Sequence, residues 1–260
     1  MSGKNIEYKT KQISEYFSIN RVKWDQFYPS EKWMFERVAG PEGQMGHVLD
    51  VGCAAGGLGL AIGERFSLSK YVGVDINVPA IEYANTRRSK YSCLCDFLCG
   101  DILTIGSLQD DKFDNVFSLG CADWNIETED IISKCWKYVR VGGHFILTLR
   151  LTPKQSLLSF SESYQYIHFG EGNPEKNEGV EKAPYIVLNV KDALAILTNL
   201  QPKPDRIMAY GYWGPPSATA RTKYDRLVFT ALAVRKGIRN NDGKDILGEF
   251  HLPVDLFLQK

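Results

Sequence analysis

Asp50, Asp75 and Asp101 each close a short apolar run, in HVLDVG, KYVGVDI and CDFLCGDI. A carboxylate at the end of a strand can accept from ligand hydroxyls or amino groups, or pair with a cation. Behind the first acid runs VLDVGCAAGGLG, with four glycines in twelve residues. Glycine gives up more backbone freedom on folding than any other residue, so this density implies a sharp turn or a ligand lying against the backbone. The loop Gly52-Cys53-Ala54-Ala55-Gly56-Gly57 reads G-x-A-x-x-G, one substitution from the G-x-G-x-x-G of dinucleotide sites.

The acids discriminate between the ligands such a loop can hold. Asp50, two residues before Gly52, is a poor neighbour for a pyrophosphate and suits an ammonium group. Asp75 is placed for two ribose hydroxyls, and Asp101 for an adenine amino group. A ligand with an amino-acid end, a ribose, an adenine and no phosphate is S-adenosylmethionine. On these residues the chain resembles the class I S-adenosylmethionine-dependent methyltransferases of the small-molecule type. Their acid-x-Gly-x-Gly-x-Gly loop is matched by DVGCAAG, with Ala54 for the middle glycine. Their second-strand acid is matched by VGVDI and a third piece by GDI. FDNVFSLGCADW and VGGHFIL follow in the family's order, and the likeness covers roughly residues 45–235. The resemblance implies a cofactor set of Asp50, Gly52, Cys53, Ala54, Gly56, Asp75, Ile76, Asp101, Ile102 and Leu119.

Such a cofactor supplies the hard chemistry, and the protein aligns an acceptor atom with the methyl group. A hydroxyl acceptor also calls for a general base. Asp123, after the fourth strand in LGCADWN, and His168, in a polar stretch after the fifth, are the candidates. His47 and His144 open strands, at the far end of the sheet. Trp124, Tyr164 and Tyr212 are candidate walls of an acceptor pocket, and Arg150 and Arg221 candidate clamps for an anionic group. The competing readings are a helix cap for Asp123, core packing for the aromatics and a surface ion pair for Arg221.

The elements that position these residues follow from periodicity. After an amphipathic, aromatic-rich segment, strand and helix patterns alternate from HVLDVG to GHFILTLRL. This order predicts an α/β fold, a doubly wound mostly parallel sheet. RIMAYGYW and RLVFTALAV, joined by GPPSATARTKYD, form an antiparallel hairpin, and the resemblance implies seven strands with the last antiparallel. The expected organisation is a helical lid over 1–46, a methyltransferase domain over 47–236 and a tail over 237–260. Residues 153–184 interrupt the domain as a cap on the acceptor side. Within the lid, Pro29 interrupts the helical pattern and Ser30 is the expected N-cap of a second helix through Glu36. Tyr8, Tyr16, Trp24, Tyr28 and Trp33 are its aromatics.

Composition bounds the partners. Lys+Arg and Asp+Glu are both 31, so the net charge is zero, which argues against nucleic acid and for a small-molecule acceptor. No apolar run reaches the ~20 residues of a membrane span. MSGKNIEYKTKQ has no apolar core of a secretory leader, so the expectation is a cytoplasmic monomer or homodimer with reduced cysteines. The spacing C-x-C-x3-C in CLCDFLC lacks the paired C-x2-C of zinc sites, and the stretch reads as a buried strand; no metal is expected. The favoured reaction is methyl transfer to oxygen or nitrogen. A sugar, or an anionic precursor of a bacterial surface polysaccharide, is the suggested acceptor. A nicotinamide oxidoreductase and a non-catalytic binder of the same cofactor are the alternatives.

Overall fold

The computed structural model describes residues 11–108, 112–167, 180–237 and 245–258. Apolar side chains alternate along the central strands, and the alternation sorts them into two cores. In β1 (Gln44–Val51), Val48 joins the core beneath α2 (Pro29–Ala39), α3 (Gly57–Gly63) and α4 (Val78–Thr86). Leu49 points the other way, into the core beneath α5 (Thr128–Tyr138) and α6 (Val190–Thr198). Val116 and Phe117 of β4 (Phe113–Ser118) divide likewise, as do Phe145 and Ile146 of β5 (Val139–Thr152). A sheet apolar on both faces must carry helices on both.

The strand order is β12-β9-β11-β5-β4-β1-β2-β3, with β2 (Ser67–Asp75), β3 (Leu94–Cys99), β9 (Pro204–Gly214), β11 (Leu227–Lys236) and β12 (Leu247–His251). Of the seven strands expected, β11 alone runs antiparallel, against both β5 and β9. Two short strands are added. β8 (Leu188–Asn189) pairs parallel with β5, and β12 pairs parallel with β9. The tail therefore extends the sheet, fixed by Glu249 between Arg206 and Arg37. The stretch CLCDFLC is not a buried strand. β3 is the sheet edge, with Leu94 77% exposed and Cys99 at the surface, while Phe97 alone turns fully inward. A small second sheet, β10-β6-β7, joins β6 (Tyr164–Tyr166) and β7 (Lys182–Pro184) of the insertion to β10 (Ala220–Arg221).

The N-terminal segment packs onto this frame. α1 (Lys11–Ile19) lies against α4 and α3. α2 begins at Pro29, with Tyr28 rather than Ser30 as N-cap, because Pro is suited to the first helical position. The Glu31 carboxylate reaches back to accept from the Tyr28 N–H (2.9 Å). It also takes a two-pronged pair from Arg21 (2.8 and 3.2 Å). Its side chain is 3% exposed against 23% for the guanidinium. Removing one partner of such a pair leaves a buried charge uncompensated. Arg21→Ala is expected to cost about 3 kcal/mol in urea unfolding. Arg37→Ala, which breaks an exposed pair with Glu249, is expected to cost under about 1 kcal/mol.

Candidate functional site

β1 lies between β2 and β4, the point where the strand order reverses and where ligands of open parallel sheets bind. The loop behind it is tied to the end of β2. The N–H groups of Gly52 and Cys53 donate to the Val74 carbonyl (2.8 and 3.1 Å), and the Ala54 N–H donates to Asp75 Oδ2 (2.7 Å). To make this turn the backbone enters the left-handed region at Gly52 (φ +79°) and at Ala54 (φ +46°). A Cβ at Gly52 would also stand 2.6 Å from Cys121 Cβ. Ala54 occupies the place of the missing middle glycine and bears the strain of a positive φ.

Beneath the loop a cleft opens. Asp50, Gly52, Cys53, Ala54, Asp75, Ile76, Asp101, Ile102 and Leu119 all line it, which brings together nine of the ten residues expected there. Gly56 does not. It caps α3 with φ +75°, its carbonyl takes the Tyr91 hydroxyl, and Gly57 lines the wall instead. Five residues that sequence reasoning missed, Ile13, Phe17, Asn20, Arg21 and Phe27, close the cleft from the N-terminal segment. The missed signal is conformational: Arg21 turns with φ +60°, and its carbonyl passes where a Cβ on Gly57 would stand.

The acids differ in their surroundings. Asp50 is buried and accepts from the Tyr71 hydroxyl. Burial, outweighing that bond, pushes its carboxyl up to about 7, with the charge of Asp75 adding to the rise. Asp75 is also held above the usual carboxylate range by burial, against the lowering effect of the Asn77 and Ala54 N–H groups. Asp101 accepts from the Leu103 N–H (2.9 Å) in a tight turn at the same wall. Burial raises the Cys53 and Cys121 thiols well above their usual value, which disfavours the thiolate at both. Among the described residues no group of three His, Cys, Asp or Glu is arranged to hold a metal ion.

A second cleft adjoins the first. Phe17, Arg21, Leu119, Gly120 and Trp124 line both. Asp123, Arg150 and Tyr212 line the second, as do Tyr16 and Tyr28. Asp123 sits in the short helical turn Ala122–Trp124 and does not cap α5, whose N-cap position is Glu127; the Thr128 hydroxyl donates to the carbonyls of Ala122 and Asn125. Its carboxylate pairs with Arg150 (3.3 Å). Burial raises the Asp123 carboxyl and Arg150 opposes the rise.

Arg150 is not a free clamp. Its guanidinium donates to the carbonyls of Asp123 (2.8 Å) and Ile186 (3.2 Å) and lies 3.6 Å over the Tyr185 ring. Tyr164 and Arg221 line neither cleft. Tyr164 stacks on Phe160, and Arg221 folds back onto the carbonyls of Ala218 and Ala220. Trp24 is core, against Phe35 and Phe66, and Trp33 packs on Tyr210 and His251. His168 and Tyr8 lie outside the described residues. His144 is half-buried and lines neither cleft, and burial lowers its ring to about 4.

Residues 49–147 match a family model described as a methyltransferase domain. No curated protein sequence matches the chain. Among solved structures, the chain is similar to the N-terminal domain of EvdMO1 with S-adenosylhomocysteine bound. The two share 12% identity over 80% of this chain and 81% of that one, TM-score 0.52. It is similar to a putative methyltransferase from Bacillus halodurans C-125, at 14% identity over 80% and 99%, TM-score 0.52. It is similar to the [4+2]-cyclase SpnF, at 14% identity over 88% and 95%, TM-score 0.53. The fold is the Rossmann-like fold of class I methyltransferases. No helix among the described residues is long and apolar enough to cross a membrane.

The loop yields a comparison. Gly52→Ala adds a Cβ both to a positive φ and against Cys121, so it is expected to cost more than about 1 kcal/mol. Ala54→Gly relieves a strained φ and loses rigidity, so it is expected to change stability by less than about 1 kcal/mol. Denaturant midpoints of the two variants check the order.

Proposed function

We propose that this chain is an S-adenosylmethionine-dependent methyltransferase, with the cofactor in the first cleft and a small-molecule acceptor in the second. The observation that carries the reading is the convergence of Asp50, Asp75 and Asp101 on one cleft, under a loop held in left-handed turns. The fit is chemical. Each oxygen of Asp75 holds one backbone N–H, from Ala54 or Asn77, and keeps a second lone pair for a ribose hydroxyl. Ile76, Ile102 and Leu119 supply the apolar walls an adenine needs. Cys53 and Ala54 let the ligand approach the loop. The structure of the EvdMO1 domain with bound S-adenosylhomocysteine supports the same ligand on the same fold. SpnF, described as a cyclase, has that fold too. Methyl transfer is therefore read from the site and the domain match rather than from the architecture.

When bound, the cofactor supplies an electrophilic methyl group. Leu119, Gly120 and Trp124, shared by the two clefts, stand where the clefts meet and would hold the acceptor in line. Asp123 is the proposed proton acceptor for a hydroxyl or amine nucleophile, and His168 remains the second candidate. Trp124 and Tyr212 are proposed acceptor walls. Arg150 acts in positioning Asp123 rather than in gripping an anion, so a phosphorylated acceptor is not proposed, and Tyr164 and Arg221 are not retained. The segment 11–28 is the proposed lid, with Ile13, Phe17 and Arg21 excluding water. The insertion is the proposed acceptor-side cap, reaching the second cleft through Gln165.

Two measurements check this. In calorimetry, S-adenosylhomocysteine is expected to bind the wild type and to bind Asp75→Ala about a hundredfold more weakly, ~3 kcal/mol for two charge-assisted hydrogen bonds. NADH is expected not to bind; binding of NADH instead would support the oxidoreductase alternative. The second measurement is pH dependence. A ligand ammonium needs Asp50 ionised, and the free carboxyl titrates at about 7. Below that value binding must release a proton. Affinity should therefore rise toward a limiting tenfold per pH unit as pH increases to 7, and level off above. Asp50→Asn should flatten the profile.

A further inference from the structure

We infer that the acceptor in the second cleft is an uncharged, polyhydroxylated ring of the sugar type, read by Asp123, Gln165 and Thr230. This rests on the methyltransferase reading and deepens it. The charged groups at the cleft cancel in pairs: Arg21 with Glu31, and Arg150 with Asp123. Both of Arg150's described hydrogen-bond acceptors are backbone carbonyls, and its flat face is covered by Tyr185. Among the described residues an anionic acceptor finds no free cation there, and an acceptor with full positive charge finds no free carboxylate pair.

What the pairing leaves over is specific. Asp123 Oδ1, Gln165 Oε1 and Thr230 Oγ1 are buried oxygens without a hydrogen-bond partner. Their residues line this cleft and are 3%, 7% and 2% exposed. A buried polar atom left unmet is costly, and native chains rarely keep three beside one cavity without a purpose. Two of the three oxygens can only accept, so the missing partners are donors. They come from separate elements, the turn Ala122–Trp124, β6 and β11. Three unmet oxygens on three separate elements call for several donors, and hydroxyls spaced around a ring supply them. Trp124, Tyr28 and Tyr212 add flat apolar faces against which the C–H face of such a ring packs.

The test uses the full chain saturated with S-adenosylhomocysteine. The probes are methyl hexopyranosides of gluco, manno, galacto and 6-deoxy-galacto configuration, each with its phosphate ester, read by saturation-transfer NMR and calorimetry. At least one uncharged glycoside is expected to bind, and to bind at least as well as its phosphate. Thr230→Val is expected to weaken it fivefold or more, leave S-adenosylhomocysteine affinity unchanged and raise the melting midpoint by about 2 °C, since an unmet hydroxyl is removed. Gln165→Met should weaken the glycoside similarly. The inference is overturned if S-adenosylhomocysteine binds but no uncharged glycoside does, or if the phosphates bind better. It is equally overturned if Thr230→Val lowers the midpoint with glycoside affinity intact. Failure of S-adenosylhomocysteine itself to bind would instead remove the methyltransferase reading, and this inference with it.

Discussion

The first cleft depends on three backbone donors at the end of β1. Gly52 and Cys53 bond the last interior carbonyl of β2, and Ala54 bonds the carboxylate that ends that strand. The strands are thereby stapled together past the point where their ladder stops. The loop has to turn through left-handed conformations to do this, and α3 then starts directly beneath it. Asp75 consequently has two roles. It holds the loop in place with one set of lone pairs and, in the proposed function, offers the other set to a ribose hydroxyl. Asp50, one residue inside the strand, is carried to the same wall by the parallel register with Gly73 and Phe117.

The same stapling explains the electrostatics. Two carboxylates, Asp50 buried and Asp75 half-buried, are brought close together, and among the described residues neither has a cation bonded to it. Among the described residues Asp50 accepts a side-chain hydrogen bond only from the Tyr71 hydroxyl, and burial outweighs that bond and raises the carboxyl to about 7. A free site with one carboxyl near neutrality is a site that waits for a cation. Across the shared wall the situation is reversed. There each buried charge is already paired, and what is unmet is a set of neutral or half-engaged oxygens. One cleft asks for charge and the other for hydrogen-bond donors, a division that suits two ligands meeting at Leu119, Gly120 and Trp124.

This division also marks what was legible in the sequence. The first cleft is built from strand ends, and a strand end is visible as an apolar run stopped by an acid and a glycine. Nine of its ten expected residues line that cleft for that reason, and Gly56 does not, because it is itself the cap of α3 and its carbonyl takes the Tyr91 hydroxyl. The frame was equally readable, because period-two and helical patterns follow from simple packing. The edge position of β3 and the added strand β12 were not. Cysteine and leucine in an edge strand look like core, and LGEFH becomes a strand only because the side of β9 is open to it.

The second cleft was legible only in fragments, and for a physical reason. Its walls come from α1, the start of α2, the turn after β4, β5, β6, β9 and β11. No local spacing links Ser30 to Thr230 or Gln165 to Tyr28; only the fold does. Arg150 shows the difficulty most clearly. From sequence, an arginine at the ligand end of a strand is a candidate grip on an anion. In the fold, two carbonyls, one carboxylate and one aromatic face have already claimed its guanidinium. A side chain's type fixes what it can bind, but its burial and existing partners fix what remains unbound. The remainder here is a set of oxygens in need of donors. Specificity in this cleft therefore resides in unmet hydrogen bonds, which no residue type announces.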